Sequence, residues 1–178
     1  MTENDQVTQA SGALTTRLFK AQVATRNNLG AYGTLLEPSA DGVAFGGGLD
    51  AQLFLSQGIP RFYLMKLKKR SMVITGITRH LAVTQALASL NGKSWYILLA
   101  PPDEPDNAQA LPDINRLEAF CITGSQALVL HRSTWHAGPY FLEDDVDFVN
   151  LELSDTNMID HHNAKLDVAF GMVAQIDI

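Results

Sequence analysis

Apolar and polar positions alternate along this chain in many short runs, and none of them sustains a helical period for more than about two turns. Phe62 to Lys68 and Met72 to His80 read as strands, as do Leu117 to Thr123, Ala127 to His131 and Asp147 to Leu153. Gly33 to Glu37 is a shorter one. Thr84 to Leu90 and Trp95 to Ala100 flank Asn91-Gly92, a dipeptide suited to a two-residue turn, and this predicts a hairpin. Gly124-Ser125 and the His136 to Pro139 region punctuate the later strands as turns. A single short helix is expected from Thr25 to Gly30, with Thr25 as its cap. Pro38 to Gly48 and Pro101 to Pro112, rich in Gly, Pro and polar residues, are surface loops. Residues 1–12 form a loose polar tail. Many short strands at this spacing predict one all-β domain over residues 1–178, a sandwich or barrel with a few short helices.

Composition narrows the function. The 178 residues are 46% hydrophobic and 18% charged, and carry a formal net charge of −6. That balance fits a packed globular domain and argues against a nucleic-acid or anionic-membrane surface. The one basic run, Lys66-Leu67-Lys68-Lys69-Arg70, reads as a solvated strand edge rather than a phosphate-binding stripe. No apolar stretch approaches the ~20 residues that span a bilayer, and the N-terminus has no signal-peptide pattern. Cys121 is the only cysteine, so an internal disulfide is excluded and a reducing, cytoplasmic setting is expected. Its apolar neighbours Ala119, Phe120 and Ile122 make it a core residue.

Chemistry then rests on five histidines, His80, His131, His136, His161 and His162. Alternation in the strand ending Thr78-Arg79-His80 puts Thr78 and His80 on one face and Arg79 on the other. His136 stands beside Trp135 and ahead of Gly138-Pro139. Each has a plainer reading: a hydrogen-bonded structural histidine at a strand end, a core or interface tryptophan. His161-His162, within a polar run, reads as exposed.

The two segments together carry a resemblance. Thr78-x-His80, Gln85 and Gly92 have the offsets of the first cupin motif, and Ser133-Thr134-Trp135-His136 sits where the second places its last histidine. More closely, the chain resembles the ureidoglycolate lyase (ureidoglycolate hydrolase) family. The matching stretches are Leu29 to Gly33, Arg79-His80 through Gln85-Ala86, Ala119-Phe120 with Gly124 and Gln126, His131-Arg132 with Trp135-His136, and Asp147-Phe148. The chain departs from that pattern at Thr78, where an acidic residue is common, at Leu81 and Leu87, and at Ala137-Gly138, where members often carry His-Pro. A related substrate or a lost activity therefore stays open.

The resemblance implies a cupin-type double-stranded β-helix barrel, a homodimer, and a carbon–nitrogen lyase that eliminates urea from ureidoglycolate to give glyoxylate. His80 and His136 are expected to move protons, since imidazole titrates near neutrality. Gln85 would hydrogen-bond the ureido group. Lys66 or Arg79 would pair with the substrate carboxylate, strand parity counting against Arg79; Tyr32 and Trp135 would line the mouth. The metal positions of a cupin fall on Thr78, His80, Gln85 and His136. They offer two imidazoles and a neutral amide, so at most a loosely held divalent metal is expected at His80, Gln85 and His136. The alternatives are a metal-using cupin isomerase or dioxygenase, and a non-catalytic cupin that binds a small carboxylate or sugar.

Overall fold

The computed structural model describes residues 14–46 and 48–178; the tail expected over residues 1–12 lies outside them. In chain order the elements are β1 (Thr15–Lys20), β2 (Gln22–Val23), α1 (Arg26–Leu29), β3 (Gly33–Leu36), β4 (Pro60–Lys68), β5 (Val73–Ile74), β6 (Gly76–Arg79), β7 (Gln85–Ser89) and β8 (Trp95–Ala100). They continue with β9 (Glu118–Ile122), β10 (Ala127–Leu130), β11 (Trp135–Tyr140), β12 (Asp145–Leu153), α2 (Thr156–Ile159), β13 (His162–Lys165), α3 (Leu166–Phe170) and β14 (Met172–Asp177). No helix among the described residues is long and apolar enough to cross a membrane.

One sheet has the order β3-β10-β7-β12-β4 and the facing one β13-β6-β11-β8-β9-β2. From β7 onward the chain winds between them: β7 in the first, β8 and β9 in the second, then β10, β11 and β12 in alternation. That winding is the double-stranded β-helix barrel of the cupin type. A third sheet, β1-β14-β5, covers the outside of the six-stranded sheet.

The layers explain the six-residue apolar run of β8. On β8, Trp95, Ile97 and Leu99 point into the barrel and pack with Leu87, Phe120, Leu128 and Phe148. Tyr96, Leu98 and Ala100 point the other way, into a second core with Trp135, Met172, Ala174 and Ile176. A strand buried on both faces has no reason to alternate.

Two local expectations need correction. Asn91 and Gly92 do form a turn with positive φ (59° and 68°), but β7 and β8 enter opposite sheets and share no ladder. The turn crosses the barrel end instead of closing a hairpin. The His136 to Pro139 segment is not a turn; it lies within β11, whose register against β8 shifts between Ala137 and Tyr140. The α1 expectation matches: Thr25 Oγ1 accepts from Asn28 N and Asn28 Oδ1 accepts from Thr25 N, a reciprocal cap above the buried Leu29.

Candidate active site

Strand register builds the site. On β12 the inward residues are Val146, Phe148, Asn150 and Glu152, all buried. The first two pack in the barrel core; the last two are polar and face a cavity of about 270 Å³. Asn150 opposes Tyr63 across the ladder to β4, and both line the cavity. The apolar filling stops and a polar row begins.

That row is wired around one carboxylate. Glu152, with no exposed surface, accepts from Tyr63 Oη (2.9 Å), Gln85 Nε2 (2.7 Å) and Asn157 Nδ2 (3.1 Å). An acceptor surrounded by donors can be buried at tolerable cost. The contact also orients Gln85, committing its nitrogen to Glu152 and turning its oxygen elsewhere. Asn150 donates to the Tyr63 hydroxyl (2.9 Å), and its buried Oδ1 has no partner among the described residues.

The opposite wall is imidazole. The His80 and His136 rings lie 5.0 Å apart, and His161 lies 5.6 Å from His80. His80 Nδ1 donates to the Asp160 carbonyl (2.6 Å) and His136 Nδ1 to the Thr134 carbonyl (3.0 Å). A carbonyl can only accept, so in the neutral rings Nδ1 carries the proton and Nε2 keeps its lone pair. Burial pushes His136 down to about 3, with His80 adding to the effect. Burial also lowers His80, opposed by the Asp160 carbonyl and carboxylate. Both are therefore neutral at pH 7. Asp160 fixes the turn after β6 as well, its carboxylate accepting from Leu81 N (2.7 Å) and Ala82 N (2.8 Å). His161 is wired the other way: Asn163 Nδ2 donates to its Nδ1 (2.9 Å), which leaves Nε2 to carry the proton.

Of the residues expected from sequence, His80, Gln85 and His136 line this cavity together. The other four do not reach it. Lys66 points outward from β4 and pairs with Asp147 (2.9 Å) and Asp145 (3.8 Å). Arg79 is buried on the far face of the sheet. Its guanidinium lies 4.6 Å over the Trp135 ring and donates to the Glu104 carbonyl (3.3 Å) and to the Asn107 carbonyl. Parity had turned it from His80, and the 103–107 loop supplies its acceptors. Trp135 is core beneath it. Tyr32 packs edge-on against Phe120 at 5.3 Å, its hydroxyl donating to Arg116 O (3.4 Å); burial, then Glu118, raises its pKa to about 12.

Sequence reasoning missed Tyr63, Arg70, Asn150, Glu152, Asn157 and His161, which also line the cavity. A signal existed for two of them. Polar Asn150 and Glu152 continue the inward parity of Val146 and Phe148, and an inward polar pair at a strand end marks where a core opens.

The cupin fold raises the question of a metal. Among the described residues no group of three or more His, Cys, Asp or Glu is placed to hold one. The two imidazole lone pairs lack an anionic companion, because both oxygens of Glu152 are already engaged. The donor set does not fit a resident divalent ion, and no step below runs through one.

A polar, histidine-walled cavity inside a two-sheet barrel defines a cupin-type small-molecule site. The sequence profile of the ureidoglycolate lyase family matches residues 51–171, and the chain belongs to that family. It is 27% identical over 89 residues to the ureidoglycolate lyase of Salmonella paratyphi B (strain ATCC BAA-1250 / SPB7), covering 50% of this chain and 52% of that one. The ureidoglycolate lyase of Salmonella enteritidis PT4 gives 26% over the same length. The chain spans about half the length of the curated relatives it matches. Among solved structures, a dTDP sugar isomerase from Desulfovibrio desulfuricans G20 superposes with a TM-score of 0.45 at 15% identity, covering 75% of this chain and 81% of that one. RmlC from Streptococcus suis, solved in complex with dTDP-D-xylose, gives 0.37 at 13%, covering 57% and 47%.

Proposed function

We propose that this protein is a ureidoglycolate lyase-type enzyme, eliminating urea from ureidoglycolate or a close analogue to leave glyoxylate. The observation that carries the reading is the facing of two walls: imidazoles with free Nε2 lone pairs on one, and on the other Gln85, oriented by Glu152. A ureido group brings N–H donors, and the Gln85 oxygen, left free by the amide nitrogen's bond to Glu152, is an acceptor for them.

In the reaction the carbinol O–H bond breaks, the C=O of glyoxylate forms, and the C–N bond to urea breaks. The departing nitrogen gains one proton, so the proton count is unchanged. His80 takes the hydroxyl proton on Nε2, its Nδ1–H held by the Asp160 carbonyl. His136, held far below the ordinary imidazole range, stays neutral and serves as a hydrogen-bond acceptor. The proton returns to the urea nitrogen from His80 Nε2–H, which restores the neutral ring. Because both histidines of the pair are neutral, the carboxylate needs a cation elsewhere.

The free edge of β4, with Phe62 and Leu64 exposed, is the surface through which the expected homodimer would pair. The lone, half-buried Cys121 suits the cytoplasmic setting of such an enzyme. Glyoxylate release from ureidoglycolate by the purified protein tests the reading. Release above the spontaneous rate, reduced in His80→Ala, is expected; release at the spontaneous rate would overturn it.

A further inference from the structure

We propose that Arg70 is the residue that recognises the carboxylate of the ligand in this site. Two cations line the cavity, Lys68 and Arg70. Lys68 is already paired with Asp145 at 2.9 Å. Arg70 makes no ion pair among the described residues, and one weak contact, at 3.4 Å to the Pro139 carbonyl, is its hydrogen bonding. Its guanidinium carbon lies 4.3 Å over the Tyr140 ring. Stacking on an aromatic face restrains the planar group while leaving its N–H fork free, the geometry that takes a carboxylate with two parallel hydrogen bonds.

Position agrees with that role. Arg70 follows β4 at its Lys68 end, whereas Glu152 and Gln85 sit toward the other end of the strand, where Glu152 opposes Arg61. It also borders a neighbouring polar hollow of about 240 Å³ that shares His136, Gly138 and His161 with the cavity, so this exposed side chain stands at the cavity mouth beside the imidazole wall. The protein as a whole carries a charge of −6. An anion is drawn into this cavity only by a local cation, and the neutral imidazoles supply none. Lys66 and Lys68 fit a solvated strand edge, paired with their aspartates; Arg70 lies past the strand end and has no acidic partner among the described residues.

This assignment rests on the ureido-acid reading for the kind of ligand, but its test does not need turnover. Oxalate, an inert small carboxylate, is titrated calorimetrically into the wild-type protein, Arg70→Gln and Arg70→Lys, with thermal melts showing that all three are folded. The expected result is binding to wild type, weakened about 10-fold or more in Arg70→Gln and partly restored in Arg70→Lys. With ureidoglycolate, Arg70→Gln should raise KM by a similar factor and change kcat less. Equal oxalate binding by wild type and Arg70→Gln, or no binding by wild type, would overturn the proposal. Arg70-dependent oxalate binding without glyoxylate release would support it while removing the lyase reading.

Discussion

The two halves of the barrel interior are built on the same strands and differ only in what points inward. Toward one end, Val146 and Phe148 of β12 join Trp95 and Phe141 in a packed core, with ring centroids 5.5 and 5.9 Å from Phe148. Two and four residues further along the same strand face, Asn150 and Glu152 line a cavity and are held by hydrogen bonds instead of packing. Strand geometry cannot distinguish the halves. Side-chain chemistry does, and the change from packing to hydrogen bonding should separate stability from activity.

Substitutions can break that comparison. His80→Ala should lower kcat by about 10²–10⁴-fold, the usual worth of a positioned proton acceptor, or about 3–5.5 kcal/mol in barrier. Its melting temperature should stay near that of wild type. Phe148→Ala should do the reverse, costing ~3–5 kcal/mol of stability by urea titration, through lost transfer energy and the cavity left behind. If Phe148→Ala were as stable as wild type, the packed half would not be the core it is described as.

Glu152→Ala belongs to both halves. It strands three donors, on Tyr63, Gln85 and Asn157, and should cost ~1–3 kcal/mol of stability while releasing Gln85 from its fixed orientation. A drop in kcat/KM of about 10-fold or more should accompany it; unchanged kinetics would mean that Gln85 needs no such hold. Lys66→Ala should be the mildest, leaving the melting temperature and the kinetics near those of wild type, because its ion pairs are exposed and point away from the cavity. A KM increase there would restore Lys66 as a carboxylate partner.

How much of this was legible in the sequence follows the same divide. Strand spacing predicted an all-β sandwich or barrel, since short alternating segments are a local property of the chain, and the resemblance in two motifs narrowed it to the cupin barrel. It did not predict which strands pair: Asn91-Gly92 marks a true turn, but only the winding of the whole barrel sends β7 and β8 to different sheets. The outer sheet was illegible for a related reason, because β1 and β14 pair in parallel from opposite ends of the described chain. At the site, His80, Gln85 and His136 were found through two short motifs. Glu152 and His161 were not, because they meet those residues only through long-range contacts, Glu152 being 67 positions from Gln85. Arg79 and Lys66 were chosen for their charge, and the acceptors that occupy them, the 103–107 carbonyls and Asp147, are equally non-local.

The central claim is that neutral, buried imidazoles carry out a urea elimination, and the pH dependence of kcat/KM for glyoxylate release tests it most directly. Burial depresses both His80 and His136, so His80 keeps its lone pair below the ordinary imidazole pKa of 6.5 and His136 down to about 3. Activity should be full above that value and fall only as pH drops below it and His80 becomes protonated. Release above the spontaneous rate, with its acid limb below pH 6.5 and absent from His80→Ala, is the predicted result. Release at the spontaneous rate, or an acid limb centred above pH 6.5, would contradict the account.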